Sequence, residues 1–544
     1  MMIAETTGPS EPHSFVQQGW WRNCTLLDFF DEAVRRTPDK VAVVAPGGVR
    51  LSYGEIAERV ERAAGNLAAV GVGKSDVVSI QLPNCAEFVV VHLAASRLGA
   101  ITNPLLPNYR TKELSYILRF ARTKAIVIAE TYRGFDFAGM YAELWQDLPD
   151  LAAVYVVGGT GRAGMRPFDD LLAVKRDVPS VRFHGDDITS LIFTSGTESS
   201  PKGVIHSHNT MMYSTLEMAR LVGLDATDVI WVPSPIGHGT GFEWGVRQAI
   251  TLGATMVLQD IWDANEALRL IEAERCTFVV SATPFAVMLL DAPSLGKRDL
   301  SSFRVFGCAG APIPRQLGEQ ARARIGCTLI GMWGMTECFV GSASRPTDSD
   351  EKLWNTDGCA MPGGELAIFD STRSHILPPG EVGELATRGP HVALGYFNDP
   401  ERTASTFTPD GWLFTNDLAT IDVDGYIRLV GRKKDIINRG GLKVSVREIE
   451  DLLTEHPSIS QVALVPLPDE RLGERSCACV IVRAGAHVTL EEIVEFLSSR
   501  GIAKYKLPEF IALPDAFPMT PSGKVQRFRL RDDILDGKLL KLPS

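Results

Sequence analysis

The 544-residue chain lacks the features that mark several specialised classes of protein. Its nine cysteines include no Cys-x-x-Cys pair, and most of them stand inside apolar runs, which excludes a disulfide framework and a zinc cage. Basic residues number 55 against 66 acidic ones, a net charge of −11, so a nucleic-acid footprint covering the fold is excluded. The longest apolar run, near residues 88–95, is far shorter than the ~20 residues of a membrane span.

Other absences narrow the class further. Residues 1–14 carry acidic side chains and no apolar stretch, unlike a secretory signal peptide. No repeat of 20–50 residues and no low-complexity segment is present. The 45% hydrophobic and 22% charged residues are typical of a globular protein, and the length suggests about three to four domain-sized units. We therefore expect a soluble, cytoplasmic protein with no nucleic-acid partner and no integral-membrane segment.

Helical and strand-like segments alternate from residue 51 to about residue 308. The spacing predicts a helix over residues 52–70, with Ser52 as its N-cap and Glu55 completing a capping box. Residues 87–98 predict another helix. Short apolar runs predict strands at residues 76–82, 125–129, 153–157, 229–232, 254–258, 278–281 and 305–308. This alternation is typical of α/β folds with buried parallel sheets.

The pattern changes in the last third of the chain. After about residue 383 short strands are separated by Gly, Asp and Pro turns. From residue 444 a smaller α+β pattern predicts a helix at 446–454, strands at 461–466 and 476–482, and a helix at 490–499. We predict a large domain over residues 1–432 and a small domain over residues 433–544.

The strongest local motif is the hydroxyl- and glycine-rich stretch 194–204, which follows the strand-like run 190–193. Such a loop presents N–H and O–H donors to phosphate oxygens, and Lys202 adds a charge. The spacing differs from that of a Walker A loop. Taken alone, an ordinary solvated loop is an equal alternative.

Four further motifs follow, each with a plain alternative. The first is Trp333-Gly334-Met335-Thr336-Glu337. Its aromatic ring could stack on a base, its hydroxyl could bind a phosphate and its carboxylate could bind Mg²⁺. The plain alternative is core packing for Trp333 and a helix N-terminal position for Glu337. Asp417, after Asn416, offers a carboxylate for ribose hydroxyls or merely forms a turn. The basic stretch 431–443 and the lysine of Gly523-Lys524 could equally be solvated.

In this order, with Gly310-Ala311-Pro312 among them, these motifs resemble the acyl-adenylate-forming superfamily of acyl-CoA synthetases, peptide-synthetase adenylation domains and luciferases. The resemblance spans residues 25–531. Residues 237–242, 282–285, 469–476 and 504–508 resemble short- and medium-chain acyl-CoA synthetases and cyclohexanecarboxylate–CoA ligases. The resemblance implies an α/β fold, in which a large N-terminal domain of αβαβα layers with a distorted β-barrel carries a small mobile α+β C-terminal domain.

The resemblance also implies roles and cofactors, namely ATP, Mg²⁺ and coenzyme A. Residues expected to bind the nucleotide are Thr194, Ser195, Gly196, Thr197, Lys202, Gly310, Ala311, Pro312, Trp333, Gly334, Thr336, Asp417 and Arg432. Residues expected to act in catalysis are Lys524, His238, Glu337 and Thr336, with Glu337 and Thr197 at the metal. Lys434 is the expected hinge, and Gly440, Gly441 and Lys443 are expected at coenzyme A. Expected protein partners are a second copy of the chain and a lysine acetyltransferase acting on Lys524.

The acid is the least determined part of the prediction. No carboxylate stands between Trp231 and Phe242, which argues against an amino-acid substrate in this family. Gly239 stands where relatives that take 2,3-dihydroxybenzoate have Asn. The expected acyl pocket, whose members could equally be plain core, comprises His238, Phe242, Trp244, Phe285, Met335 and Phe339. The direction of Glu243 cannot be inferred from the sequence.

The predicted function is an AMP-forming acyl-CoA synthetase for an apolar short- or medium-chain or alicyclic carboxylic acid. Three alternatives stay open: an acyl-AMP ligase that loads a carrier-protein phosphopantetheine, an aryl-acid–CoA ligase, and a catalytically silent nucleotide-binding module. Two residues depart from the family pattern. Glu198-Ser199 replaces the common Thr-Gly pair, and Asn416 stands where Gly is usual.

Overall fold

Two large mixed sheets carry most of the chain in the computed structural model, which describes residues 12–194, 201–310, 313, 315–433, 436–440, 442–520 and 525–543. The strands of the nine-stranded sheet are, in spatial order, Cys359–Ala360, Ser342–Ala343, Thr328–Trp333, Val305–Ala309, Phe278–Ala282, Val229–Val232, Thr255–Leu258, Val41–Ala45 and Val49–Ser52. Those of the eight-stranded sheet are Gly395–Tyr396, Lys202–Ser207, Ile188–Thr194, Ile101–Pro104, Val77–Gln81, Thr123–Ala129, Ala153–Val157 and Arg166–Pro167. The central strands of both sheets are parallel.

Two smaller sheets follow in the chain. The four-stranded antiparallel sheet is built from Glu365–Phe369, Gly383–Arg388, Leu413–Ile421 and Ile427–Arg432. The six-stranded sheet is built from Leu442–Ser445, Ile436–Arg439, Gly473–Val482, Ile459–Asp469, Phe510–Ala512 and Lys541–Pro543. The chain passes from the four-stranded to the six-stranded sheet between Arg432 and Ile436, and the domain boundary after residue 432 stays a prediction. A two-stranded ribbon joins Thr131–Tyr132 to Phe135–Asp136.

Helices cover the faces of both large sheets. In chain order the α-helices are Pro12–Gln17, Leu26–Arg36, Tyr53–Ala69, Ala86–Arg97, Thr111–Phe120, Phe137–Leu144, Asp169–Ala173, His208–Val222, Gly239–Gly241, Gln248–Leu252, Ala264–Ala273, Thr283–Leu290, Arg315–Arg324, Asp350–Asn355, Pro400–Thr406, Val446–Leu453, Leu490–Ser499 and Arg527–Leu535. A π-helix spans Phe242–Arg247. Because a π-helix is rare and often marks a functional site, this segment is a candidate for a specialised role.

The core confirms the layered α/β architecture. One apolar cluster joins Val43 of the nine-stranded sheet, Val78 of the eight-stranded sheet and Phe88 of the helix Ala86–Arg97 between them. That helix is buried almost all round, as a helix between two sheets must be. Separate clusters lie on the outer faces of the two sheets, under helices such as Ala264–Ala273 and Thr111–Phe120. The order of layers is therefore helix, sheet, helix, sheet, helix.

The local predictions for the large domain are confirmed. The helix Tyr53–Ala69 begins after Ser52, whose hydroxyl accepts from the backbone N–H of Glu55 at 3.2 Å. The Glu55 carboxylate accepts from the backbone N–H of Ser52 at 2.7 Å, which completes the capping box. Each of the seven predicted strand runs overlaps an observed strand.

The expected distorted barrel is corrected to an open sheet. Residues 365–432 are all described, and their first and last strands do not pair with each other. A closed barrel has no edge strand, whereas this sheet has two, Glu365–Phe369 and Ile427–Arg432. The last strand is met instead by a single antiparallel bridge from Cys359 to Tyr426, which joins this sheet to the edge of the nine-stranded sheet.

Two absences seen in the sequence recur in the structure. All nine cysteine thiols are free. Within the described ranges, every helix is too short or too polar to cross a bilayer.

A buried asparagine fixes the segment that leads to His238. The Asn84 amide donates to the carbonyls of Val232, Ser234 and Gln259 at 3.2, 3.0 and 2.9 Å, and its oxygen accepts from the N–H of Ile236 at 2.9 Å. These contacts at a buried position, in which the two amide hydrogens are shared among three carbonyls, tie the start of the central helix to the end of a strand of the nine-stranded sheet. The turn before His238 is therefore set by a side chain far away in sequence.

Substituting Asn84→Ala is expected to lower the free energy of unfolding by about 2–4 kcal/mol, since two donated bonds and one accepted bond of about 1 kcal/mol each are lost and their buried backbone partners are left unsatisfied. Hydrogen exchange should accelerate at residues 233–238. Asn66→Ala is the matched control, because Asn66 also donates to three carbonyls, at 2.7–3.0 Å, in another part of the domain. It should destabilise comparably and leave exchange at 233–238 unchanged. Equal acceleration in both variants would contradict a local role for Asn84.

Candidate active site

The predicted phosphate loop is closed at its base by strand pairing. Strands Ile188–Thr194 and Lys202–Ser207 form an antiparallel hairpin whose last paired residues are Thr194 and Lys202. Thr194 and Lys202, the residues that flank the predicted phosphate loop on the described side, are therefore held next to each other. Ser195, Gly196, Thr197 and Glu198 themselves lie outside the described residues.

Glu337 lies beside this hairpin in a nearly closed setting. Its side chain is 4% exposed, and its Oε1 atom accepts a hydrogen bond from the hydroxyl of Tyr396 at 2.7 Å. Tyr396 belongs to the strand that pairs with Lys202–Ser207, and the ammonium of Lys202 lies 5.2 Å from the centre of its ring. Burial foremost, and then the Glu337 charge, raise the pKa of Tyr396, so the phenol stays protonated and can donate. A carboxylate, a phenol and an ammonium group thus form a line at the base of the loop.

A second carboxylate is fixed from two sides. Oδ2 of Asp417 accepts from the indole N–H of Trp333 at 2.8 Å, and Oδ1 accepts from Nε of Arg432 at 2.9 Å. Asp417 and Arg432 are direct partners on neighbouring strands of the four-stranded sheet. Trp333 ends a strand of the nine-stranded sheet and is only 3% exposed. Adenine stacking on this ring stays a prediction, and it requires that one face of the indole becomes accessible.

The residue before Asp417 explains a departure from the family pattern. Asn416 has a φ of 60°, in the left-handed region where glycine is favoured and asparagine is the best-tolerated alternative. Its backbone N–H donates to the buried carboxylate of Glu384 at 3.1 Å. Glu384 also accepts from Arg373 at 2.8 Å and from Lys433 at 2.6 Å. Burial alone would raise the pKa of Glu384, but the bonds from Arg373 and Lys433 outweigh it, so the pKa is lowered.

His206 fixes the loop that carries Thr336 through a hydrogen bond to its backbone. Because a carbonyl only accepts, Nε2 of His206 donates to the Thr336 carbonyl at 2.8 Å, while Nδ1 faces the Thr210 hydroxyl at 3.1 Å. Burial lowers the pKa of His206 to about 4, so the ring is neutral at pH 7. Gly334 opens the loop, and a Cβ there would lie 1.9 Å from the Phe339 carbonyl oxygen. No larger residue fits at that position.

The predicted acyl residues separate into three places. Phe242, Trp244 and Phe339 share one core cluster, and the rings of Trp244 and Phe339 lie 6.5 Å apart. Phe285 packs against Trp262 at 4.5 Å in the cluster on the outer face of the nine-stranded sheet.

Met335 and His238 take the other positions. Met335 packs with Trp333. The Nδ1 atom of His238 accepts from the Thr240 N–H at 3.2 Å and starts the turn Gly239–Gly241. Gly239 in that turn faces the Phe339 ring, with its Cβ position 3.4 Å away. His238 therefore adjoins the group of Phe242, Trp244 and Phe339, and Phe285 does not.

The remaining predicted residues lie at loop ends or outside the described residues. Gly310 has a φ of 76° and directly follows a strand. Gly440 has a φ of 59°, and its N–H donates to the Leu472 carbonyl at 2.7 Å. Lys443 lies on the strand Leu442–Ser445. Residues outside the described set are Ala311, Pro312, Lys434, Gly441 and Lys524.

Sequence reasoning missed three residues that shape this site: Tyr396, His206 and Glu384. Tyr396 stands 59 residues from Glu337, and His206 stands 130 residues from Thr336. No local pattern relates positions so far apart. For Glu384, the available signal was an acidic residue near the start of a short strand, Gly383–Arg388, directly before Leu385 and Ala386.

Comparisons with known proteins identify the family. A family model described as "AMP-binding enzyme" matches residues 30–397, and one described as "AMP-binding enzyme C-terminal domain" matches residues 448–524. The chain belongs to the AMP-binding enzyme family. It is an enzyme, an adenylate-forming ligase with a large N-terminal and a smaller C-terminal domain.

Two curated relatives and one solved structure illustrate the range of this family. The medium-chain fatty-acid–CoA ligase of Escherichia coli (strain K12) is 37% identical over 538 residues, 98% of this chain and 95% of the relative. The 2,3-dihydroxybenzoate–AMP ligase of Bacillus subtilis (strain 168) is 34% identical over 543 residues, 99% of each chain. The crystal structure of the anthranilate CoA ligase AuaEII in complex with anthranoyl-AMP has a TM-score of 0.87 at 25% identity, covering 95% of this chain and 98% of that one.

Substituting His206→Leu is expected to slow acyl-adenylate formation by about 10- to 100-fold, because the Thr336 carbonyl loses its donor in a buried setting. ATP–pyrophosphate exchange measures this step. His206→Gln, whose amide can still donate, should recover most of the rate. A Leu variant that retains the wild-type exchange rate would show that His206 does not position Thr336.

The depressed pKa of Glu384 predicts a pH-dependent stability. The charged carboxylate stabilises the fold above the ordinary pKa of 4.5, and this contribution is lost as the pH falls through the lowered pKa. Glu384→Gln should therefore lower the melting temperature by about 2–4 °C at pH 7 and pH 5, with a smaller difference at pH 4. Glu365→Gln, which removes an exposed ion pair with Arg388 on the same sheet, is the control and should change little. A Glu384→Gln deficit that is the same at pH 4 as at pH 7 would contradict the assignment.

Proposed function

We propose that this ligase is an acyl-CoA synthetase that activates an apolar short- or medium-chain or alicyclic carboxylic acid. In the first step a carboxylate oxygen attacks the α-phosphorus of ATP, and the bond to pyrophosphate breaks. In the second step the thiol of coenzyme A attacks the acyl carbonyl of the acyl-AMP, and AMP leaves. The observation that carries this proposal is a pair of buried carboxylates tied to one motif: Glu337 accepts from Tyr396 beside the hairpin, and Asp417 accepts from Trp333, which stands in the same motif as Glu337.

Electrostatics explains why the proposed active site needs positively charged side chains. The acid and the triphosphate are both anions, and the protein itself has a net charge of −11. Lys202 at the base of the loop and Arg432 beside Asp417 supply local positive charge. Lys524, which the family motif assigns to the reacting carboxylate, supplies a third cation that stabilises the developing charge. Without these groups the two anions would repel each other in the cleft.

The residues present fit a magnesium ion that is shared with the nucleotide. The described residues contain no group of three or more His, Cys, Asp or Glu that could hold a metal by themselves. Mg²⁺ commonly binds through one or two carboxylates together with substrate phosphates, and Glu337 offers one such carboxylate beside the loop. Glu337, with Thr197, would hold the ion, which when bound neutralises phosphate charge. Tyr396 keeps the carboxylate turned toward the loop base.

Two findings support different acids. The ring group of Phe242, Trp244 and Phe339 and the E. coli medium-chain relative favour an apolar acid. The B. subtilis 2,3-dihydroxybenzoate–AMP ligase favours an aryl acid as the second candidate, and relatives of that type leave a carrier-protein thiol open as the acceptor. A screen of thioester formation across straight-chain, alicyclic and aromatic acids separates the acids. Release of AMP that depends on free coenzyme A separates the acceptors.

Substituting Lys524→Ala is expected to slow acyl-AMP formation by about 10²–10³-fold, the usual effect of removing one preorganised electrostatic group. Thioester formation from supplied acyl-AMP should be largely retained, because a small domain that turns about Lys434 would withdraw Lys524 before the second step. Pyrophosphate exchange and single-turnover thioester assays measure the two steps separately. An equal loss in both steps would reject this division of labour.

A further inference from the structure

An ion pair lies fully buried in the π-helix Phe242–Arg247. Glu243 and Arg247 are both 0% exposed, and Oε2 of Glu243 accepts from Nε of Arg247 at 3.0 Å. This hydrogen bond uses only one oxygen of the Glu243 carboxylate and one nitrogen of the Arg247 guanidinium group. Oε1 of Glu243 and Nη1 of Arg247 have no hydrogen-bond partner, and Nη2 of Arg247 faces the sulfur of Met212 at 3.7 Å.

Such a pair is a poor means of stabilising the fold. Apolar residues of similar volume often replace a buried ion pair without loss of stability, and each buried polar atom without a partner is unfavourable. Burial raises the pKa of Glu243 to about 7, although the Arg247 charge opposes the shift. The raised pKa shows that the charged form of this carboxyl is unfavourable at its buried position. The two open atoms, one acceptor and one donor, are therefore able to bind a polar group supplied from outside the chain.

The pair adjoins the aromatic group that the proposed function assigns to the acid. Its neighbours in the helix are Phe242 and Trp244, and Trp244 reaches the Phe339 ring at 6.5 Å. The Phe339 ring in turn lies 4.5 Å from the ring of His206, which binds the Thr336 carbonyl. A chain of contacts thus leads from the expected reacting end of the pocket to the π-helix.

Three buried histidines lie within range of the Arg247 charge. Burial, and in addition the Arg247 charge, lowers the pKa of His92, His206 and His208. These rings are neutral at pH 7 and compensate neither charge of the pair. Nε2 of His92, whose ring lies 4.7 Å from Phe242, also has no hydrogen-bond partner. The region is therefore polar and incompletely satisfied, although aromatic residues flank it.

We propose that Glu243 and Arg247 close the far end of the acyl pocket and bind a hydroxyl group that the acid carries opposite its carboxylate. The proposal rests on the proposed function and names its substrate class, a hydroxy acid with an apolar body. One hydroxyl can donate to Oε1 of Glu243 and accept from Nη1 of Arg247. An ammonium group would satisfy Glu243 and repel Arg247, and a carboxylate would do the reverse.

The test compares acids that differ by one hydroxyl group. Cyclohexanecarboxylate and 4-hydroxycyclohexanecarboxylate, hexanoate and 6-hydroxyhexanoate, and benzoate with 3- and 4-hydroxybenzoate are assayed by ATP–pyrophosphate exchange, which needs no acyl acceptor. We expect kcat/KM to be about 10- to 100-fold higher for at least one hydroxy acid than for its parent, since the parent leaves two buried polar atoms unsatisfied. Parents preferred or equal in every pair would overturn the proposal. Exchange with no acid at all would instead reject the proposed function.

The double variant Glu243→Leu/Arg247→Met removes both charges together, so that neither is left buried alone. It should lose the preference for the hydroxy acid over its parent. The matched control is Asp228→Asn/Arg304→Met, which removes an ion pair at the start of the strand Val229–Val232, away from the π-helix. This variant should keep the wild-type preference for the hydroxy acid. If the double variant does not fold, Glu243→Gln replaces it and should reduce the preference. A preference that survives in these variants would mean that the pair binds only water or serves packing.

Discussion

The site depends on the satisfaction of two buried carboxylates by donors from different sheets. Tyr396, on an edge strand of the eight-stranded sheet, donates to Glu337, which follows a strand of the nine-stranded sheet. Trp333 of the nine-stranded sheet donates to Asp417 of the four-stranded sheet. A buried carboxylate without donors is strongly unfavourable, so these bonds fix how the three sheets meet. The polar junction therefore serves the architecture and the chemistry at once.

Much of the fold follows from local pattern. Ser52 and Glu55 stand at the capping-box spacing, and a short apolar run between turn residues has few alternatives to a buried strand. The four-stranded sheet was misjudged because closure depends on strand number and curvature, which short runs do not reveal. Phe285 illustrates another limit, because an apolar residue near a motif can face either side of its sheet. Only tertiary structure shows that it packs against Trp262 on the outer face.

Some residues of the candidate site could likewise be predicted from the sequence, and others could not. Glu337, Asp417 and Arg432 could be predicted because each stands in a motif whose order along the chain is informative. His206 and Tyr396 were missed because their partners are remote in sequence and their own surroundings are ordinary. Glu243 and Arg247 stand four residues apart, a spacing at which opposite charges usually meet on an exposed helix face. Because this pair is buried, the spacing does not indicate an exposed ion pair. The sequence alone does not show that these two residues are buried.

The environment of Glu384 bears on how the small domain is attached. This buried carboxylate binds the backbone of Asn416, directly before Asp417, and the ammonium of Lys433, directly after Arg432. It therefore fixes both strands that present the Asp417–Arg432 pair, up to the last residue before the predicted hinge at Lys434. A rotation at that position would leave the Asp417–Arg432 pair in place, because its strands are anchored on the large domain through Arg373 and Lys433. One nucleotide site could then serve two half-reactions without being rebuilt between them.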